Sequence, residues 1–273
     1  MTEHFTITAT GYSHIKSGKV CQDHSISYYD GVRTVVTACD GHGGDVYVRS
    51  HRGSRFASLA LLQAMMDSES LSFRKYTPDE IAHNLKLNVL CEWNRLVLED
   101  IERFPIKKSE LQGLSDEQVA SIKQNPIKAY GSTLTGAMLY GNKLFCVQIG
   151  DGGCFLLNKG EIFPAFPESE DEPVANVTYS LCNEDAFEHI HAAVFDARVI
   201  DGALLCTDGV LGPYQSIENF KRSFVRPVVR CTLEGKTREV KEFICKLGVQ
   251  SGIGDDVSLA MILKDSAKSK RYN

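Results

Sequence analysis

The organising stretch of this chain reads Val35-Val36-Thr37-Ala38-Cys39-Asp40-Gly41-His42-Gly43-Gly44. Its apolar part, which begins at Thr34, has the length and β-branched content of a buried strand. Asp40 ends that strand, so its carboxylate is held rigidly, and the glycines let a ligand approach the backbone closely. Mg²⁺ and Mn²⁺ prefer carboxylate, carbonyl and water oxygens. The stretch predicts a metal site in which Asp40 supplies a carboxylate, Gly41 a carbonyl and His42 a titratable group. For a single motif of this kind, an ordinary glycine-rich turn is the alternative interpretation.

The same sequence pattern, in which an aspartate beside a glycine lies at the end of a predicted strand, recurs further along the chain. The carboxylates at such places, besides Asp40, are Asp23, Asp151, Asp208 and Asp255. Aspartates gathered at one pole of a fold raise one another's pKa unless cations neutralise them. Two divalent ions about 3.5–4 Å apart can activate a water for phosphoryl transfer. His42 beside them is suited to protonate the leaving oxygen.

Composition excludes several other classes of function. The 273 residues carry a formal net charge of −5 without an internal basic block, which argues against nucleic acid as the main ligand. No apolar run approaches the ~20 residues of a membrane span, and the N-terminus lacks the pattern of a signal peptide. The nine cysteines are odd in number and include no Cys-x-x-Cys pair. We therefore expect reduced cysteines and a cytoplasmic protein without a membrane or nucleic-acid partner.

The periodicity of the chain predicts an α+β protein that is rich in strands. Strands are predicted at 5–10, 25–29, 34–39, 132–140, 143–149, 154–158, 161–163, 174–181, 192–200, 202–207 and 257–263. Helices are predicted at 46–67, 77–100, 115–125, 216–229 and 236–247, with a polar loop at 11–23 and a surface loop or flap at 164–173. There is no internal repeat and no linker, so we expect a single domain over residues 1–265 and a short basic tail over 266–273.

Five short motifs, in order along nearly the whole chain, resemble those of the metal-dependent protein serine/threonine phosphatases of type 2C, the PPM family. They read Asp40-Gly41-His42-Gly43-Gly44, Gly131-Ser132-Thr133, Gly150-Asp151-Gly152, Thr207-Asp208-Gly209 and Asp255-Asp256-Val257-Ser258. The resemblance implies a four-layer α-β-β-α sandwich, in which two antiparallel sheets pack face to face with helices on both outer faces. It also implies the hydrolysis of phosphoserine and phosphothreonine in proteins, in signalling opposed by a serine/threonine kinase.

The resemblance further implies a centre of two Mn²⁺ or Mg²⁺ ions. Asp40 would bridge the ions, Gly41 would bind one through its carbonyl, and Asp208 and Asp255 would hold the other. Asp151, with Asp208, would hold a further and weaker ion. The catalytic candidates are Asp40 and His42, and we expect a monomeric enzyme.

Two departures from the family pattern point to its bacterial-type branch. Many members have Glu-Asp where this chain has Gln22-Asp23, and many have a phosphate-binding Arg where this chain has Gly18. Asp23 stays a candidate metal ligand, and His14 or Lys19 is the candidate replacement for the Arg. Two alternatives stay open at this point: a hydrolase of small phosphomonoesters, and a non-catalytic binding module with a phosphatase fold.

Overall fold

Ten strands form two antiparallel sheets in the computed structural model, which describes residues 2–167, 178–250, 254–265, 267 and 272. The strands are β1 (Thr2–Ala9), β2 (His24–Tyr29), β3 (Arg33–Cys39), β4 (Leu134–Tyr140), β5 (Lys143–Ile149), β6 (Gly153–Asn158), β7 (Glu161–Pro164), β8 (His191–Asp196), β9 (Gly202–Cys206) and β10 (Val257–Lys264). Sheet A has the order β1-β10-β9-β6-β7, and sheet B has the order β2-β3-β4-β5-β8. Every neighbouring pair is antiparallel.

The helices lie between and after these strands. They are α1 (Tyr12–Ser17), α2 (Ser50–Met66), α3 (Pro78–Arg103), α4 (Asp116–Gln124), α5 (Ala186–His189), α6 (Asp208–Leu211), α7 (Ile217–Phe220), α8 (Arg226–Leu233) and α9 (Thr237–Gln250). Short 3₁₀-helices cover Lys108–Leu111 and Pro126–Tyr130, and a π-helix over Lys221–Val225 joins α7 to α8. A capping box begins α3, since Thr77 and Glu80 exchange hydrogen bonds there. Among the described residues no helix has both the length and the apolar character needed to cross a bilayer.

Three apolar clusters hold together four layers, which are the two sheets and a layer of helices on the outer face of each. The first packs α2 and α3 on the outer face of sheet B around the fully buried Trp93, whose indole N–H donates to the carbonyl of Gly53 over 3.1 Å. The second packs α8 and α9 on the outer face of sheet A and includes Phe224 and Ile244. The third lies between the inner faces of the two sheets, with Val36 on one side and Leu156 on the other. The predicted four-layer sandwich of two antiparallel sheets is confirmed.

Three local predictions differ from the structure. Residues 11–23, predicted as a loop, contain α1, which is only six residues long and therefore too short to show helical periodicity. The helix predicted over 216–229 is interrupted by the π-helix. Of the strand predicted over 174–181, residues 174–177 lie outside the described part and 178–180 are irregular. Leu181 begins a turn, and its N–H donates to the carbonyl of Ser132. Residues 168–173 of the predicted flap also lie outside the described part.

Strand ends from both sheets meet at one pole of the sandwich. In sheet A, Cys206 at the end of β9 pairs with Gly153 at the start of β6 and with Leu259 near the start of β10. Antiparallel neighbours run in opposite directions, so the end of one strand lies beside the start of the next. The loops at this pole therefore carry the aspartates that precede β6, follow β9 and precede β10.

The predicted tail is described at only two positions. Ala267 and Tyr272 are both buried. The hydroxyl of Tyr272 donates to Asp201 Oδ2 over 2.9 Å. Asp201 precedes β9, so this contact lies at the opposite pole of sheet A from the aspartate-bearing loops.

Candidate metal centre

The turn after β3 is fixed by hydrogen bonds to the segment before β4. The Asp40 N–H donates to Thr133 Oγ1 over 3.0 Å, and the Asp40 carbonyl accepts from Thr133 N–H at 2.9 Å and from Ser132 Oγ at 2.8 Å. Gly41 continues this pairing as an isolated β-bridge to Ser132. A Cβ on Gly41 would lie 2.6 Å from the carbonyl oxygens of Gln22 and Ser50, so only glycine fits at this position. The Asp40 carboxylate is thus presented from a rigid backbone.

Three of the predicted aspartates converge in space. Asp40 follows β3, Asp151 lies between β5 and β6, and Asp208 is the first residue of α6 after β9. Each offers one carboxylate oxygen, and these oxygens lie within 4.8 Å of one another. Asp151 and Asp208 lie 111 and 168 residues beyond Asp40 in the sequence, and the meeting of the strand ends brings all three together.

The pKa values of Asp40 and Asp208 are raised, the direction expected for crowded carboxylates. Burial, with the charges of Asp23, Asp208 and Asp255, raises the pKa of Asp40 well above its usual range. Burial, followed by the charges of Asp151 and Asp255, raises the pKa of Asp208 to about 6. The ionised carboxylates repel one another, and cations bound among them would relieve that repulsion.

Asp23 lies beneath the same cluster. It is buried, and its Oδ2 accepts from Thr207 Oγ1 over 2.8 Å. Thr207 Oγ1 in turn accepts from the Ser258 N–H at 2.9 Å, which joins the end of β9 to the start of β10. Burial raises the pKa of Asp23 to about 7, and the charge of Asp256 acts in the same direction. Its other carboxylate oxygen, Oδ1, is buried and accepts no hydrogen bond from the part of the chain that the structure describes.

The residues present fit the divalent ions that the family pattern implies. Oxygen donors are the ligands that Mg²⁺ and Mn²⁺ prefer, and the cluster supplies three carboxylate oxygens. Asp23, outside the cluster, adds a buried oxygen that accepts no hydrogen bond from the described residues. Asp23 and Asp255 are not members of the group whose oxygens lie within 4.8 Å, but their charges act on Asp40. The position of Gly41 beside Asp40 leaves it a candidate carbonyl ligand.

His42 is held at the edge of this centre. Its N–H donates to the carbonyl of Gly131 over 3.2 Å, and its ring lies 4.9 Å from the ring of Tyr47. Its Nε2 is buried and has no hydrogen-bond partner among the described residues. Burial lowers the pKa of His42, and the charge of Asp151 opposes that effect. An imidazole nitrogen without a partner beside a carboxylate cluster can bind a substrate oxygen or transfer a proton to it.

The two predicted phosphate-binding residues have different surroundings. His14 lies on α1, is buried, and its Nδ1 lies 2.9 Å from Asp256 Oδ2. Lys19 is exposed, and its backbone N–H donates to the carbonyl of His14. Between them, Gly18 ends α1 with φ +70°, a left-handed conformation that favours glycine.

Sequence reasoning overlooked two residues of the site. Asp256 was read only as part of a motif, yet it is buried and bonds α1; the signal was a second acidic residue directly before an apolar strand. Thr178 donates its hydroxyl to Asp151 Oδ2 over 2.5 Å, and the chain pattern around it gives no sign of that contact.

Comparison with known proteins agrees with this architecture. A profile of the family described as protein phosphatase 2C matches residues 10–245. No curated protein sequence gives a significant match. Among solved structures, the chain is similar to PppA, described as a key regulatory component of T6SS in Pseudomonas aeruginosa, with 18% identity, a TM-score of 0.58, and coverage of 96% of this chain and 97% of that one.

Two further structures show the same fold. The catalytic domain of the serine/threonine protein phosphatase PstP, in complex with two manganese ions, has 18% identity and a TM-score of 0.56, with coverage of 96% and 97% of the two chains. Stp1, a serine/threonine phosphatase from Staphylococcus aureus, has 16% identity and a TM-score of 0.60, with coverage of 96% and 95%. The match of the family profile over most of the chain, together with the five ordered motifs, shows that this chain belongs to the protein phosphatase 2C family of metal-dependent protein serine/threonine phosphatases.

Proposed function

We propose that this phosphatase hydrolyses phosphoserine and phosphothreonine at the pole where Asp40, Asp151 and Asp208 meet. The observation that carries the proposal is the approach of their carboxylate oxygens to within 4.8 Å of one another. Asp40, Asp208 and Asp255, with the Gly41 carbonyl, would hold two ions of Mn²⁺ or Mg²⁺. Asp151, with Asp208, would hold a weaker third.

Asp23 has a supporting role in this proposal. Its Oδ1 has no partner and lies beneath the cluster, while its Oδ2 is held by Thr207. This arrangement leaves one oxygen of Asp23 for an ion or for a water of its hydration shell. When bound, the ions would act as Lewis acids on the phosphoryl group and on the attacking water.

His42 would be the general acid. Serine and threonine alkoxides are poor leaving groups and need a proton as the P–O bond breaks. The buried Nε2 of His42 has no other partner among the described residues, so a protonated imidazole could give that proton to the leaving oxygen. The backbone bond from His42 to Gly131 fixes the ring at the edge of the centre. Phosphate binding by His14 or Lys19 belongs to the same proposal.

We also propose a cytoplasmic monomer that opposes a serine/threonine kinase in signalling. All nine cysteines are unpaired, which suits a reducing compartment. Every proposed ligand comes from a single chain, so a monomer suffices for the reaction. A kinase is the class of enzyme that supplies phosphoserine and phosphothreonine to such a phosphatase. The two alternatives, a small-phosphomonoester hydrolase and a non-catalytic module, are not favoured by the family match.

The test is phosphate release from a phosphothreonine peptide with Mn²⁺, with and without EDTA. We expect activity only with metal and its loss in Asp40→Asn, with unfolding by urea showing that the variant stays folded. Asp45→Asn is the matched control, since Asp45 is exposed and lies just beyond the same turn. Undiminished activity after exhaustive dialysis against EDTA would contradict the proposal that bound metal ions are required. A preference for small phosphomonoesters over the peptide would favour the first alternative.

A further inference from the structure

A buried carboxylate beside the metal centre gathers three hydrogen bonds from the N-terminal segment. Asp256, whose exposure is 1%, directly follows Asp255. Its Oδ1 accepts from Gly11 N–H over 2.7 Å, and its Oδ2 accepts from Gln22 N–H at 2.6 Å. The same Oδ2 lies 2.9 Å from His14 Nδ1. Asp256 therefore ties both ends of the segment that carries α1 to the start of β10.

These contacts determine which nitrogen of His14 is available to a ligand. A carboxylate oxygen only accepts hydrogen bonds, so the proton of this contact is on Nδ1. The other ring nitrogen, Nε2, hydrogen-bonds no residue in the described part of the chain, and it is not one of the buried atoms without a partner. The His14 side chain is 9% exposed, and Nε2 is not among its fully buried atoms. A histidine oriented by a carboxylate on one nitrogen and open on the other is arranged to bind a ligand.

His14 is anchored to residues that adjoin two of the proposed metal ligands in the sequence. Asp256 Oδ2 is shared by His14 and by the backbone of Gln22, the residue that precedes Asp23. The Ser13 N–H donates to the carbonyl of Gly254, the residue before Asp255, over 2.9 Å. The start of α1 is thereby fixed to the segments that carry Asp23 and Asp255.

The conformation of Gly18 explains why the cation is not supplied there. Gly18 has φ +70°, and a side chain in that conformation is strained whatever space surrounds it. Nothing lies within 4 Å of the position that its Cβ would take, so the cost of a side chain at this position comes from the backbone conformation and not from a clash at Cβ. Lys19 is exposed and its ammonium has no hydrogen-bond partner among the described residues, so fixing it on a phosphate would cost side-chain entropy.

We propose that His14, oriented by Asp256, binds the phosphate group of the substrate through Nε2. The inference rests on the proposed function, because it assigns the phosphate-binding side chain of that same site. Asp256 is a positioning residue, since it acts through His14 and does not itself contact the phosphate. The ligand is a phosphate monoester, and orthophosphate, the product, offers the same oxygens. Because the contact with Asp256 keeps one proton on Nδ1, Nε2 donates to a phosphate oxygen when the ring carries a second proton, and it accepts from a P–OH group when the ring does not.

Two measurements on the metal-loaded enzyme test this assignment. The first is the KM for a phosphothreonine peptide and the inhibition constant of orthophosphate. A hydrogen bond between charged groups is worth about 1.5–3 kcal/mol, so His14→Ala should raise both constants about ten- to a hundredfold and change kcat less. The second is the His14 imidazole NMR signal of the Mg²⁺-loaded enzyme, which should shift and saturate as orthophosphate is added.

The variants separate positioning from general damage. Asp256→Asn should raise the KM and the inhibition constant in parallel, and the double variant should be no worse than His14→Ala alone, because Asp256 acts through His14. Lys19→Ala should have a smaller effect than His14→Ala. Asp201→Asn is the control for removal of a buried carboxylate; Asp201 lies at the opposite pole of sheet A, and this variant should keep the wild-type KM.

Several results would overturn the inference. One is a His14 signal that does not respond to saturating orthophosphate. Another is an unchanged KM in His14→Ala, or a larger effect from Lys19→Ala. If Asp256→Asn fails to fold, the His14→Ala and NMR results still decide. A wild-type enzyme that hydrolyses no phosphopeptide contradicts the proposed function. A wild-type enzyme that hydrolyses the peptide, but whose His14 NMR signal does not respond to orthophosphate, contradicts only this inference.

Discussion

Removing one carboxylate from the metal centre should make the metal-free protein more stable, and Asp208→Asn is the variant that tests this. In the folded chain the pKa of Asp208 rises from its ordinary value of 3.8 to about 6, chiefly through burial. The folded state therefore binds the proton more tightly than the unfolded state does. The free energy of unfolding consequently falls as pH rises from about 3.8 to about 6, and the loss is complete above that range.

The magnitude follows from the same shift. At 1.36 kcal/mol per pKa unit, the rise to about 6 corresponds to a penalty of at most about 3 kcal/mol at pH 8. Asn has no charge, so Asp208→Asn should regain up to that amount at pH 8 in EDTA and little at pH 4. For a chain of this size, 1 kcal/mol shifts Tm by roughly 2–4 °C.

The assay is urea and thermal unfolding at both pH values, in EDTA and in excess Mn²⁺. With Mn²⁺ the wild type should be more stable than Asp208→Asn, because the wild type gains the free energy of metal binding and the variant lacks one of the proposed ligands. Asp201→Ala is a control of opposite sign, since Asp201 Oδ2 accepts from Lys159 N–H at 2.6 Å and from the Tyr272 hydroxyl at 2.9 Å, and removal of the carboxylate leaves both donors without that acceptor. If Asp208→Asn is no more stable than the wild type at pH 8 in EDTA while Asp201→Ala loses stability, the electrostatic reasoning is wrong.

Three further predictions concern other parts of the molecule. His42→Ala should lose about 10²–10⁴-fold in kcat on a phosphothreonine peptide and much less on p-nitrophenyl phosphate, whose leaving group needs no proton, while calorimetry shows normal metal binding; equal losses on both substrates would contradict its role as the acid. Arg49 is 2% exposed and bonds the partly exposed Glu110 through two nitrogens, so Arg49→Met should lower the free energy of unfolding by about 1.5–3 kcal/mol without changing the KM of the folded enzyme. Arg49 lowers the pKa of Glu110 to about 2, so this difference should be present above about pH 4.5 and shrink as pH falls toward 2; a difference independent of pH would show that the ion pair is not its source. Gly18→Arg should cost about 1 kcal/mol in urea unfolding, because an L-residue is placed at φ +70°, and should not lower the KM; a lowered KM would show that this position can supply a phosphate contact.

The sequence by itself predicted a strand-rich α+β chain with aspartates at its strand ends, and the sandwich followed from its resemblance to a known family. The signals were local: apolar runs of strand length, each ending in an aspartate beside a glycine, as at Asp40, Asp151 and Asp208. A buried strand must end where the chain turns, so a carboxylate placed there is at a pole of the fold whatever its partners are. The ordered motifs then supplied the family.

The tertiary structure alone decided how the N-terminal segment meets this centre. His14 and Asp256 are 242 positions apart, so no periodicity in the sequence relates them. The helix α1 is six residues long, and a helix of that length is not stable alone. It forms because Ser13 and Gly11 bond residues just before β10, and those residues are in reach only when β10 has paired with β1. Contacts made across a completed sheet are long-range, and for that reason the local sequence could not specify them.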